Sequence, residues 1–159
     1  MATHKLERTQ VVPISIREAF DFFSNPHNLE RLTPDLVHFQ FLTPPPERVS
    51  PGTILEYRLR LYGIPVKWRT RIESVEAPTR FVDVQEKGPY AMWRHTHSFE
   101  RRFAGSVSIR VAVELRLHQR LQEPLHHRLG DAVATVGIPN GLDPPSPFGM
   151  SSRRTGGGK

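Results

Sequence analysis

Gly88-Pro89-Tyr90-Ala91-Met92-Trp93-Arg94-His95-Thr96-His97-Ser98-Phe99 is the stretch on which the reading of this 159-residue chain turns. A Gly-Pro turn opens it, and Trp93, His95, His97 and Phe99 then recur at every second position. Strand side chains alternate between faces with a period of two. If the run is a strand, two aromatic rings and two imidazoles share one face, and Met92, Arg94, Thr96 and Ser98 share the other. The first face suits a pocket wall, apolar enough to hold a ligand and with titratable nitrogens to orient it.

Immediately upstream, Arg80 to Glu86 reads as a strand, with Lys87-Gly88-Pro89 as the hairpin turn. Directly opposed residues share a face. A register with Gln85 opposite Trp93 places Asp83 opposite His95 and Phe81 opposite His97. Asp83 would then orient an imidazole and favour its charged form. Three readings stay open: a satisfied polar network in the core, polar recognition of a ligand, or a general acid/base pair formed by Asp83 with His95 or His97. His95-Thr96-His97 is also a His-x-His on one strand face. Two ligands are too few for zinc, and His38 or a carboxylate would have to complete such a site, so no metal is assigned. His126-His127 are adjacent and do not share a helix face.

The same alternation runs outward in both directions. Leu55, Tyr57, Leu59 and Leu61, then Trp68, Thr70 and Ile72, read as inward positions of two strands, Thr53 to Tyr62 and Val66 to Glu73. Gly63-Ile64-Pro65 is read as their connection, and Arg58, Arg60, Lys67, Arg69 and Arg71 as outward basic rows. Val107, Ile109, Val111, Val113, Leu115 and Leu117 give the cleanest alternation in the chain. At the N-terminal end, Lys5 to Ile14 is read as a strand. Ser15-Ile16-Arg17-Glu18 matches a capping box before Ala19, Phe20, Phe22 and Phe23. Pro26 starts a second short helix carrying Leu29 and Leu32. Val37 to Leu42 is read as a strand ahead of Thr43-Pro44-Pro45-Pro46. The order predicts an α+β domain with one curved antiparallel sheet and two short helices. A C-terminal helix is expected from Leu125, Leu129, Ala132, Val133 and Val136, interrupted by Pro124 and Gly130. One domain over residues 1–137 is expected, with 138–159 a disordered tail rich in Gly, Pro and Ser.

Composition narrows the chemistry. The chain has no cysteine, which excludes disulfides, thiolate catalysis and cysteine-ligated metals. No apolar run is long enough to span a bilayer, and the polar N-terminus lacks a signal-peptide pattern, so a cytoplasmic protein is the expectation. The net charge of +6 is unevenly placed. Residues 1–100 carry 13 Lys and Arg against 12 Asp and Glu; residues 101–159 carry 9 against 4. The pocket-bearing part is nearly neutral, so nucleic acid is not an expected partner and contact with a membrane surface is possible; a basic surface-binding protein for nucleic acid or anionic lipid is the alternative that the basic rows leave. There is no phosphate-binding glycine loop, nucleophile elbow or nucleotide fingerprint, and no cofactor is expected.

Several stretches together resemble the START-related, helix-grip superfamily known as SRPBCC. They are Ala19 to Leu29, Leu32-Thr33-Pro34, Gly52 to Tyr62, Gly63 to Thr70, Arg80 to Gln85 and Gly88 to Phe99. The likeness is greatest to bacterial ligand-binding and polyketide cyclase/dehydrase-like members and covers about residues 5 to 100. It implies a hydrophobic cavity between the sheet and a C-terminal helix, and a lipid-, polyketide- or isoprenoid-like ligand, without fixing one chemistry. The expected ligand contacts are Tyr57, Leu59, Leu61, Trp68, Thr70, Phe81, Gln85, Trp93 and Phe99. After about Arg102 the chain departs from the superfamily pattern, as an altered C-terminal reading frame would make it do.

Overall fold

A computed structural model describes residues 3–33, 38–61 and 63–118. The expected C-terminal helix, the tail beyond residue 137 and His126-His127 lie outside the described residues.

Seven strands form one antiparallel sheet: β1 (His4–Val12), β2 (Gln40–Phe41), β3 (Ile54–Leu61), β4 (Ile64–Glu76), β5 (Arg80–Lys87), β6 (Met92–Arg101) and β7 (Val107–Arg116). Their order across the sheet is β1-β7-β6-β5-β4-β3-β2. Hairpins place β3 through β7 side by side, and the chain closes on itself when β1 pairs with β7, Leu6 opposite Val113 and Gln10 opposite Ile109. The two helices, α1 (Ile16–Phe23) and α2 (Leu29–Leu32), fall between β1 and β2. The sheet runs well past Arg102, because Val107, Ile109, Val111, Val113 and Leu115 supply an unbroken buried row.

Local sequence explains the helical entry. The Ser15 hydroxyl accepts from the Glu18 amide at 3.2 Å, and the Glu18 carboxylate accepts from the Ser15 amide at 2.9 Å. These bonds also hold the Glu18 carboxyl below the usual carboxylate range. Asn25 caps a 3₁₀ turn at Pro26–Asn28, which leads directly into α2. Phe20 of α1 reaches down between Phe81 and Phe99, at ring distances of 6.0 and 5.6 Å, and seats the helix on the sheet.

Two expectations need correction. Of the strand expected over Val37 to Leu42, Val37 lies outside the described residues, and the ladder with β3 is Gln40–Phe41, since His38 at φ +45° is not extended. The β3–β4 connection is also tighter than Gly63-Ile64-Pro65. Leu61 pairs with Ile64 and Arg60 with Pro65, so the reversal rests on Gly63 at φ +81°. Pro65 is tolerated because β5 pairs with β4 only from Arg69 onward.

The sheet bends at two irregularities in the β4–β5 pairing, between Ile72 and Ser74 and between Arg69 and Thr70. Glu73 and Glu86 lie at these breaks and face the arginine rows. Glu86 takes Arg69 at 3.1 Å and Arg71 at 3.0 Å, and Glu73 takes Arg94 at 2.7 Å. The convex face is therefore a ladder of mixed charge at these positions. Half-exposed pairs of this kind each contribute up to about 1 kcal/mol.

The concave face buries two apolar clusters. One gathers Leu55, Tyr57, Leu59, Trp68, Trp93 and Val113; the other gathers Ile16, Phe20, Phe81, Phe99, Ile109 and Val111. Ile109 is 1% exposed. Ile109→Ala is expected to lower unfolding free energy by about 2–5 kcal/mol. Ser15→Ala, which removes only the cap, is expected to cost about 1 kcal/mol. Urea denaturation of the full chain checks both, and a larger loss at Ser15 than at Ile109 would contradict this picture of the core.

Candidate functional site

Trp93, His95, His97 and Phe99 are all buried, while Met92, Arg94, Thr96 and Ser98 between them are only half-buried. Position in the sheet decides what the inward face meets. On one side β5 sets Asp83 opposite His95 and Phe81 opposite His97. On the other, β7 sets Val113 opposite His95 and Val111 opposite His97. The two imidazoles therefore fall along β6 between the two apolar clusters, with their one acidic neighbour on β5.

The contacts are specific. Asp83 Oδ2 lies 3.3 Å from His95 Nδ1. The His97 ring stacks on Phe81 with centroids 4.2 Å apart and planes 15° apart, and its centroid is 4.2 Å from that of His95. Toward the other cluster, Trp93 meets Trp68 edge-on at 5.4 Å, and Trp68 stacks on Tyr57 at 6.2 Å. The Tyr57 hydroxyl is 3.1 Å from Thr70 Oγ1. Burial pushes the Tyr57 phenol upward, so it stays protonated at any physiological pH.

These side chains surround a cavity of about 70 Å³, counted as space open to the centres of water molecules. At roughly 10–15 Å³ per water centre, it has room for several. Of the expected contacts, Tyr57, Leu59, Trp68, Thr70, Phe81 and Trp93 form its wall, together with Asp83, His95 and His97. The wall is completed by Leu55 and Ile72 of the sheet, by Phe23, Pro26, Leu29 and Leu32 of the helical segment, and by Val49. The aromatic face of α1 and the spacing of Leu29 and Leu32 mark the helical contributors in the sequence. Val49, in a loop beyond a proline run, carries no such signal.

Two expected contacts lie elsewhere. The Gln85 carboxamide donates to the Tyr90 carbonyl at 2.7 Å and accepts from the Tyr90 amide at 3.4 Å, bracing the β5–β6 turn. Gly88 leaves room for it, since a Cβ there would run into the Gln85 carboxamide. Phe99 packs under α1 against Phe20 and Phe23 and is not part of the wall. The side chain of Leu61 lies outside the described residues.

The polar end has unspent bonding capacity. Among the described residues, nothing bonds to Trp68 Nε1, His95 Nε2 or His97 Nδ1, all of them buried. A buried group left without a partner costs about 1–3 kcal/mol. His38 is exposed, with φ +45°, and does not join the pair of imidazoles. The carboxylate that does is Asp83.

Burial, reinforced by the adjacent His95, holds His97 well below the ordinary histidine value of 6.5. The unfolded chain takes up a proton at this residue as the pH falls through about 6.5, and the folded chain does not. Stability that is complete above that pH is therefore lost below it, by up to about 1.4 kcal/mol per pH unit, until native His97 itself protonates. Urea denaturation at several values between about pH 7 and pH 5 is expected to show this fall. His97→Gln is expected to flatten it, and equal slopes for the two proteins would contradict the burial of this ring.

No protein-family model matches the chain, and no curated protein matches it. Solved structures do. The START superfamily protein from Mycobacterium smegmatis is 12% identical over 83% of this chain and 90% of its own, with a TM-score of 0.64. The Zhui aromatase/cyclase from a Streptomyces species is 11% identical over 86% of this chain and 93% of its own, with a TM-score of 0.61. Ara h 8.0201 is 16% identical over 85% of this chain and 93% of its own, with a TM-score of 0.57. At such low identity the likeness is one of fold. With its curved seven-stranded antiparallel sheet and two short helices, the chain has the helix-grip α+β fold of the START-related proteins.

Proposed function

We propose that this chain binds a small, mostly apolar molecule in the cavity beneath the sheet. The observation that supports this most strongly is the make-up of the wall: aromatic and aliphatic side chains, among which buried imidazole and indole nitrogens have no partner among the described residues. Aromatic surface supplies affinity through burial, and a few convergent polar atoms fix orientation. The ligand class that matches is a lipid-, polyketide- or isoprenoid-like molecule with a flat or branched apolar body and a hydroxyl or carbonyl. The polar group would meet His95 Nε2 or His97 Nδ1, and the body would lie against Trp93, Trp68 and Phe81.

A second reading rests on the 3.3 Å contact between Asp83 and His95. The carboxylate can hold the Nδ1 proton and stabilise an imidazolium, which leaves Nε2 to act on a substrate. In that reading His95 Nε2 takes a proton from carbon next to a ketone and delivers it to a departing hydroxyl, the step a cyclase or dehydrase needs. A cytoplasmic location belongs to either reading. Among the described residues, no helix is long and apolar enough to cross a membrane.

Native mass spectrometry of the protein from its own host is expected to detect one bound small molecule per chain. Titration with 1-anilinonaphthalene-8-sulfonate gives an independent readout. Trp93→Ala is expected to weaken that probe by about ten-fold or more, and His95→Ala by less, since the larger share of buried apolar surface is lost with the indole. Probe binding indifferent to Trp93 would contradict the binding reading. The enzymatic reading predicts that Asp83→Asn and His95→Ala abolish turnover of an enolisable ketone while the probe still binds; turnover that survives both would remove it.

A further inference from the structure

Asp83, His95 and His97 each offer a ligand atom, and these atoms all lie within 4.8 Å of one another. We propose that the three side chains form a mononuclear site for a divalent transition metal of the zinc type, with its remaining coordination position open to the cavity.

The topology builds the site without help from loops. His95 and His97 are two residues apart on β6 and project to the same face, and Asp83 stands beside His95 on β5. Three residues on two bonded strands are held more firmly than three residues on turns. The donor set is two imidazole nitrogens and one carboxylate oxygen. That combination suits zinc and its neighbours in the transition series; calcium and magnesium favour oxygen alone.

The spacing suits a single ion. Bonds of 2.0–2.1 Å to a tetrahedral zinc place ligand atoms about 3.3 Å apart. Asp83 Oδ2 and His95 Nδ1 already stand at 3.3 Å. The widest gap in the trio therefore has to close by no more than about 1.5 Å, which rotation of an imidazole about its side-chain bonds achieves.

Independent support comes from bonding capacity and charge. His97 Nδ1 and His95 Nε2 are buried and lack partners among the described residues, in residues that are 95% and 93% buried. A divalent cation would pair with the Asp83 carboxylate, which is largely enclosed beside the two imidazoles. Phe23 and Phe81 shelter one side, and the cavity leaves space on the other for a water or for a ligand oxygen. The site shares His95 and His97 with the binding reading but rests on the positions of its three donor atoms, and Zn²⁺ titration and 1-anilinonaphthalene-8-sulfonate titration test the two separately.

The test uses the full, untagged chain after dialysis against a chelator. Calorimetric titration with Zn²⁺ is expected to show one saturable equivalent per chain. Titration with Co²⁺ is expected to give the intense visible bands of a four-coordinate ion. His97→Gln and Asp83→Asn are each expected to weaken Zn²⁺ by about ten-fold or more. Circular dichroism and 1-anilinonaphthalene-8-sulfonate binding report whether the variants remain folded with the cavity intact. His38→Gln and the double variant His126→Gln/His127→Gln are expected to bind as the parent does. Absence of saturable binding, binding unchanged in a folded Asp83→Asn/His97→Gln double variant, or binding lost with His126 and His127 would each overturn the proposal.

Discussion

The register of the β5–β6 hairpin is the constraint on which the rest of the molecule depends. Because side chains alternate, a slip of one residue would turn Trp93, His95, His97 and Phe99 outward and bring Arg94, Thr96 and Ser98 under the helices. The slip is opposed from both sides. Across β5, Phe81 meets His97, and across β7, Val111 and Val113 meet the two imidazoles. Gln85 ties down the turn itself through its two bonds to Tyr90.

The same register explains how polar groups are tolerated inside. Asp83, His95 and His97 occupy the gap between two apolar clusters. Burial of a full-sized apolar side chain contributes about 1.5–3 kcal/mol. Each unpartnered polar atom costs about 1–3 kcal/mol. A handful of well-packed residues on each side therefore offsets a polar centre that contributes little to folding and retains unused capacity for a ligand or ion. Residues kept at such a cost point to function more strongly than the aromatic wall does.

Much of this was legible in the sequence because it depends on period and on local chemistry. The alternation from Gly88 to Phe99 placed four side chains on one face, and counting back from the turn paired Asp83 with His95. The capping box at Ser15 marked the start of α1. Gln85 and Phe99 were placed on the inward face correctly, yet neither touches the cavity. Period fixes the face but not depth along the strand. Gln85 sits where the hairpin turns, and Phe99 sits under α1. Nor could spacing show whether a carboxylate or His38 joined the imidazoles, since that depends on a neighbouring strand. Val49 reaches the wall through a loop whose path leaves no periodic trace. The likeness to the superfamily in sequence ends near Arg102, but the alternation from Val107 onward is strong enough by itself to mark β7, which continues the sheet to Arg116.

Imidazoles enclosed beneath the sheet are proposed to line the space a ligand enters. Long-range proton–nitrogen NMR of the imidazole rings, recorded with and without an apolar probe, tests it most directly. The account predicts that the His95 and His97 signals move on addition of the probe while those of exposed His27 and His38 stay fixed. Signals of His95 and His97 that are indifferent to the probe, with changes confined to the surface histidines, would contradict it.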